Sequence, residues 1–286
     1  MKIDLHIHTD KSDGTFTPEQ VVDRAVERGM KTIAVTDHDT VSGIEPALRH
    51  ITKNNIGLEL VPGIEFGCDE KELGFVNVHI IGLFIDFRNK RLLELTDKIR
   101  QDRIKQKKEI IRKLNELGFD ITFEEVSKSV KGSFGRPHIA RLLLKRYPDK
   151  FSTIKDVFDQ YIGTGKPAYV ERTLKIRMKE AIDVIKAAGG LCFLAHPGVY
   201  SDKDAAELID LFIKNGGEGI ETYYPYDVIN KTPKEESIAK NQLFKSIAEK
   251  RNLLESGGTD FHGDIRGDIG SLDVDKDILT RIHARL

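Results

Sequence analysis

Short apolar runs that read as buried β-strands alternate with helix signals at both ends of this chain. That alternation limits the fold more than any other feature. Strand signals fall at 2–5, 32–35, 58–62 and 76–84, then at 191–195, 219–222 and 253–257. The first helix signal is compact: Thr17-Pro18-Glu19-Gln20 supplies an N-cap, Pro at the first helical position and Gln three residues after the cap. Others lie near 42–51, 205–214 and 234–250. Between 88 and 187 the pattern changes. A long polar helix reads over 88–117, with Leu92, Leu95, Ile99, Ile110, Leu114 and Leu117 at helical spacing. Helical segments follow near 123–131, 137–146, 153–161 and 175–188, with no strand signal among them. The chain thus divides into a βα body, 1–87 plus 188–286, and a mostly helical insertion, 88–187, expected to cover or flank the active site. Seven buried strands alternating with helices predict an α/β fold, a parallel βα barrel or open sheet, with its chemistry at the carboxyl ends of the strands.

Composition narrows the function. Lys and Arg number 45 against 46 Asp and Glu, a net charge of −1, which excludes a globally basic nucleic-acid coat. No stretch reaches the ~18–20 apolar residues that span a bilayer, and the first residues carry no apolar secretion signal, so no membrane association is expected. The two cysteines, Cys68 and Cys192, form no CxxC pair, which points to a reducing cytoplasm. Any metal site must therefore be built from histidines and carboxylates.

Nine histidines are present. His6 and His8 end the first strand, and residues two apart on a strand share a face. His38 closes the second strand between Asp37 and Asp39, which are candidates to orient ligand imidazoles. Glu65 follows the third strand, His79 lies in the fourth, His196 follows the fifth, and Asp260 and His262 follow the last. Asp13 sits in a turn after the first strand. By contrast, His50 and His283 look like ordinary helix or tail residues, and His138 lies in the insertion. Core or surface histidines would scatter among the helices. Concentration of His, Asp and Glu at strand ends instead points to a polynuclear metal site.

Five separated motifs carry a family resemblance. They are Asp4-Leu5-His6-Ile7-His8, Thr36-Asp37-His38, Gly63-Ile64-Glu65, Ala195-His196-Pro197 and Gly258-Thr259-Asp260-Phe261-His262-Gly263. In this order, across 4–263, they resemble the motif set of the PHP (polymerase and histidinol phosphatase) family. Within it the chain is most similar to the stand-alone phosphoesterases that act on nucleotides and short RNA. Those also carry a helical insertion, here with Gly135-Arg136-Pro137-His138 and Pro167-Ala168-Tyr169-Val170 boxes. The resemblance implies a distorted (β/α)7 barrel with two or three divalent ions, Mn, Zn or Fe, at its mouth. It implies a first metal held by His6, His8, Glu65 and Asp260. A second would take bridging Glu65 with His79 and His196, and a third Asp13, His38 and His262. Some family members have His where this chain has Asp13.

The implied reaction is hydrolysis of nucleotide phosphate esters by a metal-bridged hydroxide. The substrate would be a 3′,5′-nucleoside bisphosphate or the 5′ end of short RNA. Arg136 and His138, at a helix start, are candidates to grip a substrate phosphate. The segment 88–113 carries a local excess of seven positive charges, either a solvated face or a steering field. No stacking platform for sequence-specific nucleic-acid binding is readable. Tyr223-Tyr224-Pro225-Tyr226 offers a place for base stacking, with core or lid packing the favoured role. Competing readings are a histidinol-phosphate phosphatase, disfavoured by the long insertion, and an amidohydrolase-like C–N hydrolase. The latter lacks a lysine placed as a carboxylated bridge, a role Glu65 fills better. The last is a non-catalytic, metal-stabilised binding domain.

Overall fold

A computed structural model describes residues 2–128, 135–263 and 267–286. The strands are β1 (Lys2–Ile7), β2 (Met30–Val35), β3 (Glu59–Glu70), β4 (Phe75–Leu83), β5 (Leu191–Leu194), β6 (Gly219–Tyr223) and β7 (Leu254–Gly257). The helices are α1 (Pro18–Glu27), α2 (Ile44–Lys53), α3 (Lys90–Glu116), α4 (Phe123–Lys128), α5 (Arg136–Arg146), α6 (Ile154–Val157), α7 (Met178–Ala187), α8 (Asp202–Lys214), α9 (Tyr226–Ile229), α10 (Lys234–Arg251) and α11 (Asp277–His283). The expected helix at 123–131 is seen as α4; residues 129–131 lie outside the described residues. Thr17 caps α1 as its sequence predicts, with its side chain accepting from the Gln20 N–H.

The seven strands form one sheet in sequence order. It curves until β1 reaches the segment after β7: Ile7 bridges Phe261, and the His8 N–H donates to the Phe261 carbonyl at 2.9 Å. This is the distorted (β/α)7 barrel. One strand departs from the all-parallel expectation, because β4 runs antiparallel to both β3 and β5. The cause is local. Only the turn Lys71–Leu73 and Gly74 separate β3 from β4, too short for the crossover that a parallel pair needs. Gly74 takes the left-handed conformation that closes this turn, at φ 84.

The reversal has a functional consequence. In a parallel barrel, side chains reach the mouth from strand ends. Because β4 runs backwards, its early residues lie at that mouth, which is why His79 sits inside a strand rather than after one. Glu65 also lies within a strand, β3 being longer than its sequence suggests.

At the other end of the strands Ile3, Leu83, Leu191 and Leu254 share a core cluster with Val274, Ile278, Leu279 and Ile282. Helix α11, for which the sequence gives no clear signal, thus closes the base of the barrel.

Two compact units are present: Met1–Thr96 with Ile176–Leu286, and Asp97–Lys175. The second limit falls at 176 rather than 188 because α7 packs on β3, β4 and β5, and the first falls at 96, within α3, rather than at 87. The α7 N-terminus is held by Glu70 of β3, whose Oε1 accepts the Met178 N–H at 2.8 Å and whose Oε2 pairs with Arg177 at 2.8 Å. Gly82 is required beneath this helix, since a Cβ there would meet Ile185 at 2.9 Å. The second unit has its own core, including Ile110, Leu114, Phe119, Leu143 and Phe151. Among the described residues no helix is long and apolar enough to cross a membrane.

If α11 seals the barrel base, Ile278→Ala should lower unfolding free energy by about 2–5 kcal/mol, the usual range for a buried Ile truncation. Denaturant unfolding checks this, and an unchanged midpoint would remove α11 from the core.

Candidate metal centre

The motif histidines converge because β1 carries a bulge. Asp4 pairs with Ile33 and Ile7 with Val35, so β1 has one extra residue there. The register with β2 shifts across Leu5 and His6, just before the chain leaves the strand at His8. Asp4 secures the bulge to the segment after β7, its neighbour across the closing seam. Its carboxylate accepts from the Thr259 N–H at 3.0 Å, the Thr259 hydroxyl at 2.6 Å and the Gly270 N–H at 3.1 Å. This fixes the loop that presents Asp260, whose backbone is left-handed at φ 48.

Glu65 is the hub. Its Oε2 lies 3.5 Å from His6 Nε2, 3.2 Å from His8 Nε2 and 2.9 Å from His38 Nδ1. Its Oε1 lies 3.0 Å from His79 Nδ1 and 3.3 Å from His196 Nε2. Five imidazoles thus surround one buried carboxylate, yet Oε2 has no hydrogen-bond partner of acceptable geometry. Donor atoms at this range, aimed at a shared point rather than at each other, suit a common cation.

The first expected ligand set can be tested by its edges. Ligands about 2.0–2.1 Å from a tetrahedral ion stand about 3.3 Å apart. His6 Nε2 and His8 Nε2 are 3.1 Å apart, and Asp260 Oδ1 lies 3.4 Å from the former and 3.2 Å from the latter. With the Glu65 distances, five edges of one tetrahedron fall at 3.1–3.5 Å. These residues fit a metal.

The other expected ligands gather around this set. His8, Asp13, His38 and His262 each bring one donor atom within 4.8 Å of the others, and so do His38, Glu65 and His79. His38 stands between the second and third sets, with Nδ1 toward Glu65 and Nε2 3.8 Å from Asp13 Oδ2. Asp13 Oδ1 is 3.2 Å from His262 Nε2, and this half-exposed carboxylate is the most open of the nine ligand candidates.

Electrostatics agree. Burial alone would depress His8, but hydrogen bonds to Asp260 and Glu65 outweigh it and push its pKa up to about 10. Burial likewise opposes, and Glu221, Glu65 and Asp260 overcome, the strong upward shift of His6. Glu65 and Asp260 are held well below the usual carboxylate range, because the surrounding imidazoles outweigh the burial that would raise them. The cluster demands positive charge at its centre.

Some supporting residues differ from expectation. Asp37 accepts from the Thr9 N–H and hydroxyl, both at 2.7 Å, and from the Ser12 hydroxyl at 2.5 Å. Ser12 Oγ in turn lies 3.4 Å from His8 Nδ1, so Asp37 acts on that imidazole through Ser12 rather than directly. Asp39 Oδ1 accepts the Gly67 N–H at 3.2 Å, a contact to strand backbone. A direct imidazole acceptor is Glu221, with Oε1 3.0 Å from His6 Nδ1. Its only sequence signal was a carboxylate inside the otherwise apolar start of β6. Tyr224 is buried, and its hydroxyl donates to Asp260 Oδ2 at 2.9 Å. Tyr226 is buried too, with its hydroxyl accepting the Gly198 N–H at 2.9 Å. Both rings are packed in the barrel, Tyr224 with its centre 5.1 Å from that of His196, in line with the packing role the sequence favoured.

Arg136 and His138 belong to the second unit. His138 Nδ1 accepts the Gly135 N–H at 3.0 Å and so caps the start of α5. Arg136 Nη1 donates to the Ile162 carbonyl at 3.3 Å, and its guanidinium lies 5.8 Å from the Phe158 and Tyr169 ring centres. Nearby Lys107 is lowered to about 7 by burial and by the charges of Arg103, Arg172 and Arg136. The basic segment is thus not simply a solvated face. Gln106 and Lys113 donate to the Val170 and Tyr169 carbonyls at 2.6 and 3.1 Å, docking 167–170 onto α3.

Comparison with known proteins is consistent with this site. The PHP domain model matches residues 4–191. The 5′-3′ exoribonuclease Rnm of Escherichia coli is 34% identical over 262 residues, 91% of this chain and 84% of that protein. A 3′,5′-nucleoside bisphosphate phosphatase of Chromobacterium violaceum is 31% identical over 274 residues, 94% of this chain and 90% of that one. Among solved structures, a Bifidobacterium adolescentis protein assigned as a metal-dependent phosphoesterase superposes with a TM-score of 0.79 at 29% identity, covering 99% of this chain and 96% of that one. A Chromobacterium violaceum structure described as an amidohydrolase with bound sulfate and no metal gives 0.78 at 29% identity, covering 100% and 97%. This chain belongs to the PHP domain family.

Proposed function

We propose that this chain is a metal-dependent phosphoesterase acting on nucleotides. The substrate is a 3′,5′-nucleoside bisphosphate or the 5′ end of short RNA. The observation that carries the reading is the arrangement of five imidazoles around Glu65, completed by Asp260, Asp13 and His262. His6, His8, Glu65 and Asp260 would hold a first divalent ion. Glu65, His79 and His196 would hold a second, and Asp13, His38 and His262 a third. Nitrogen and oxygen donors without thiolate suit Mn, Zn or Fe. Such ions, when bound, lower the pKa of water and neutralise phosphate oxygens.

The chain's own residues then have separable tasks. Glu65 and Asp260 supply the negative charge that keeps cations at the barrel mouth. Tyr224 donates to Asp260 Oδ2 and leaves Oδ1 turned toward His6 and His8. Arg136 is our candidate to grip a substrate phosphate, with His138 capping the start of α5. Crowded cations around Lys107 favour an anion there, since its charge offsets their repulsion. The two buried thiols suit a cytoplasmic setting.

The direct test is phosphate release from AMP, 3′,5′-bisphosphoadenosine, histidinol phosphate and a short 5′-phosphorylated RNA, with Mn²⁺ or Zn²⁺. Preference for the bisphosphate or RNA is expected; metal bound with every ester untouched would overturn the reading. In the same assay Arg136→Ala should raise KM about tenfold or more, the scale of a charge-assisted hydrogen bond, at unchanged metal content. Unaltered kinetics would remove Arg136 from substrate binding.

Metal loading should also release protons. With its pKa near 10, His8 is protonated at pH 7 before loading, and ligation needs the neutral imidazole. Apparent affinity should therefore rise with pH between 6 and 9, by about one log unit per pH unit for each displaced proton. Titration of metal into weakly buffered protein with a pH indicator checks this, and metal uptake without acidification would contradict it.

A further inference from the structure

Outside the nine candidate ligands, Glu221 is a buried carboxylate that touches two of the ligand residues. It lies in the middle of β6 and is 1% exposed. A buried carboxylate is tolerated only with both oxygens satisfied. Here the two oxygens go to two different residues of the site. Oε1 lies 3.0 Å from His6 Nδ1, and Oε2 accepts the His196 backbone N–H at 2.8 Å.

Each contact sets a different property. A carboxylate at Nδ1 fixes His6 as the Nδ1–H tautomer. Once an ion displaces the second proton of His6, that leaves Nε2, which lies 3.5 and 3.4 Å from Glu65 and Asp260, as the ligand atom. His196 has a left-handed backbone, φ 31 and ψ 56, which a non-glycine residue holds only when its surroundings enforce it. The Glu221 bond anchors the start of this turn. Two further bonds anchor its end, from the Gly198 N–H to the Tyr226 hydroxyl and from Lys240 Nζ to the Gly198 carbonyl, both at 2.9 Å. The result is an imidazole whose Nε2 lies 3.3 Å from Glu65 Oε1.

We propose that Glu221 is the positioning residue of the centre: one carboxylate fixes the tautomer of His6 and the strained turn of His196. It thereby places a ligand on each oxygen of Glu65 and couples the first metal site to the second. This rests on reading the cluster as a metal centre. Glutamine at 221 keeps the shape but offers one acceptor oxygen. If that oxygen faces His6, an NH2 group meets the His196 N–H, donor against donor. Turned around, the NH2 group faces His6 Nδ1 and favours the opposite tautomer, which puts a proton where the ion should bind.

The experiment is titration of Co²⁺ and Mn²⁺ into wild type and Glu221→Gln, with visible spectra of the Co²⁺ forms. Alongside it, ¹⁵N spectra of the wild-type Zn²⁺ form read the His6 tautomer. We expect Glu221→Gln to lose about 10–100-fold in metal affinity and to show a changed Co²⁺ spectrum. Phosphate release should fall at limiting metal and recover at high metal, with the denaturant midpoint of the metal-free protein unchanged, which separates lost metal affinity from a general loss of stability. In wild type, His6 should carry its proton on Nδ1. Equal affinity and spectra in the two proteins would overturn the proposal. So would an Nε2-protonated His6, a result that decides the matter even if the variant fails to fold. Wild type that takes up no divalent ion would instead refute the metal centre itself.

Discussion

Everything at the barrel mouth depends on the burial of the Glu65 carboxylate. A buried charge is expensive unless matched, and here the match is five imidazole nitrogens within 3.5 Å. Those imidazoles come from β1, the segment after β2, β4 and the segment after β5. The strands must therefore curve until four separate pieces of chain reach one point. Imidazoles alone are an incomplete answer to so much negative charge, because protonated rings packed together repel one another. Divalent ions held by these residues would resolve the conflict, because neutral rings can then serve as ligands.

The body of the protein contributes rigidity at specific points. The β1 bulge, the left-handed residues His196 and Asp260, and the bonds from Asp4 and Glu221 all hold geometries that an unassisted chain avoids. They cluster at one end of the sheet, while the opposite end is an ordinary apolar core closed by α11. Stability and chemistry are thus separated along the barrel axis.

Much of this was legible in the sequence for physical reasons. Strand–helix alternation gave the elements, and ligand chemistry requires His, Asp and Glu, residues that rarely gather at strand ends otherwise. The less legible parts depend on non-local geometry. The reversal of β4 follows from a short turn, but the 76–84 run reads the same in either direction. Glu65 reads as a residue after a strand because β3 continues beyond the apolar stretch that marks it. Glu221 reaches His6 from a segment distant in sequence, and Ser12 links His8 to the distant Asp37, so no local spacing reveals them. Packing was the favoured reading for Tyr224 and Tyr226, but aromatic residues alone do not show that their hydroxyls reach Asp260 and the Gly198 N–H.

The claim that Glu65 organises the metal centre is tested most directly by metal content. Wild type and Glu65→Gln would be loaded with Mn²⁺ or Zn²⁺, dialysed and analysed for metal, with circular dichroism confirming the fold. The account predicts that wild type keeps two or three ions per chain while the folded variant keeps at most one and releases no phosphate. Equal metal content in the two folded proteins would contradict it.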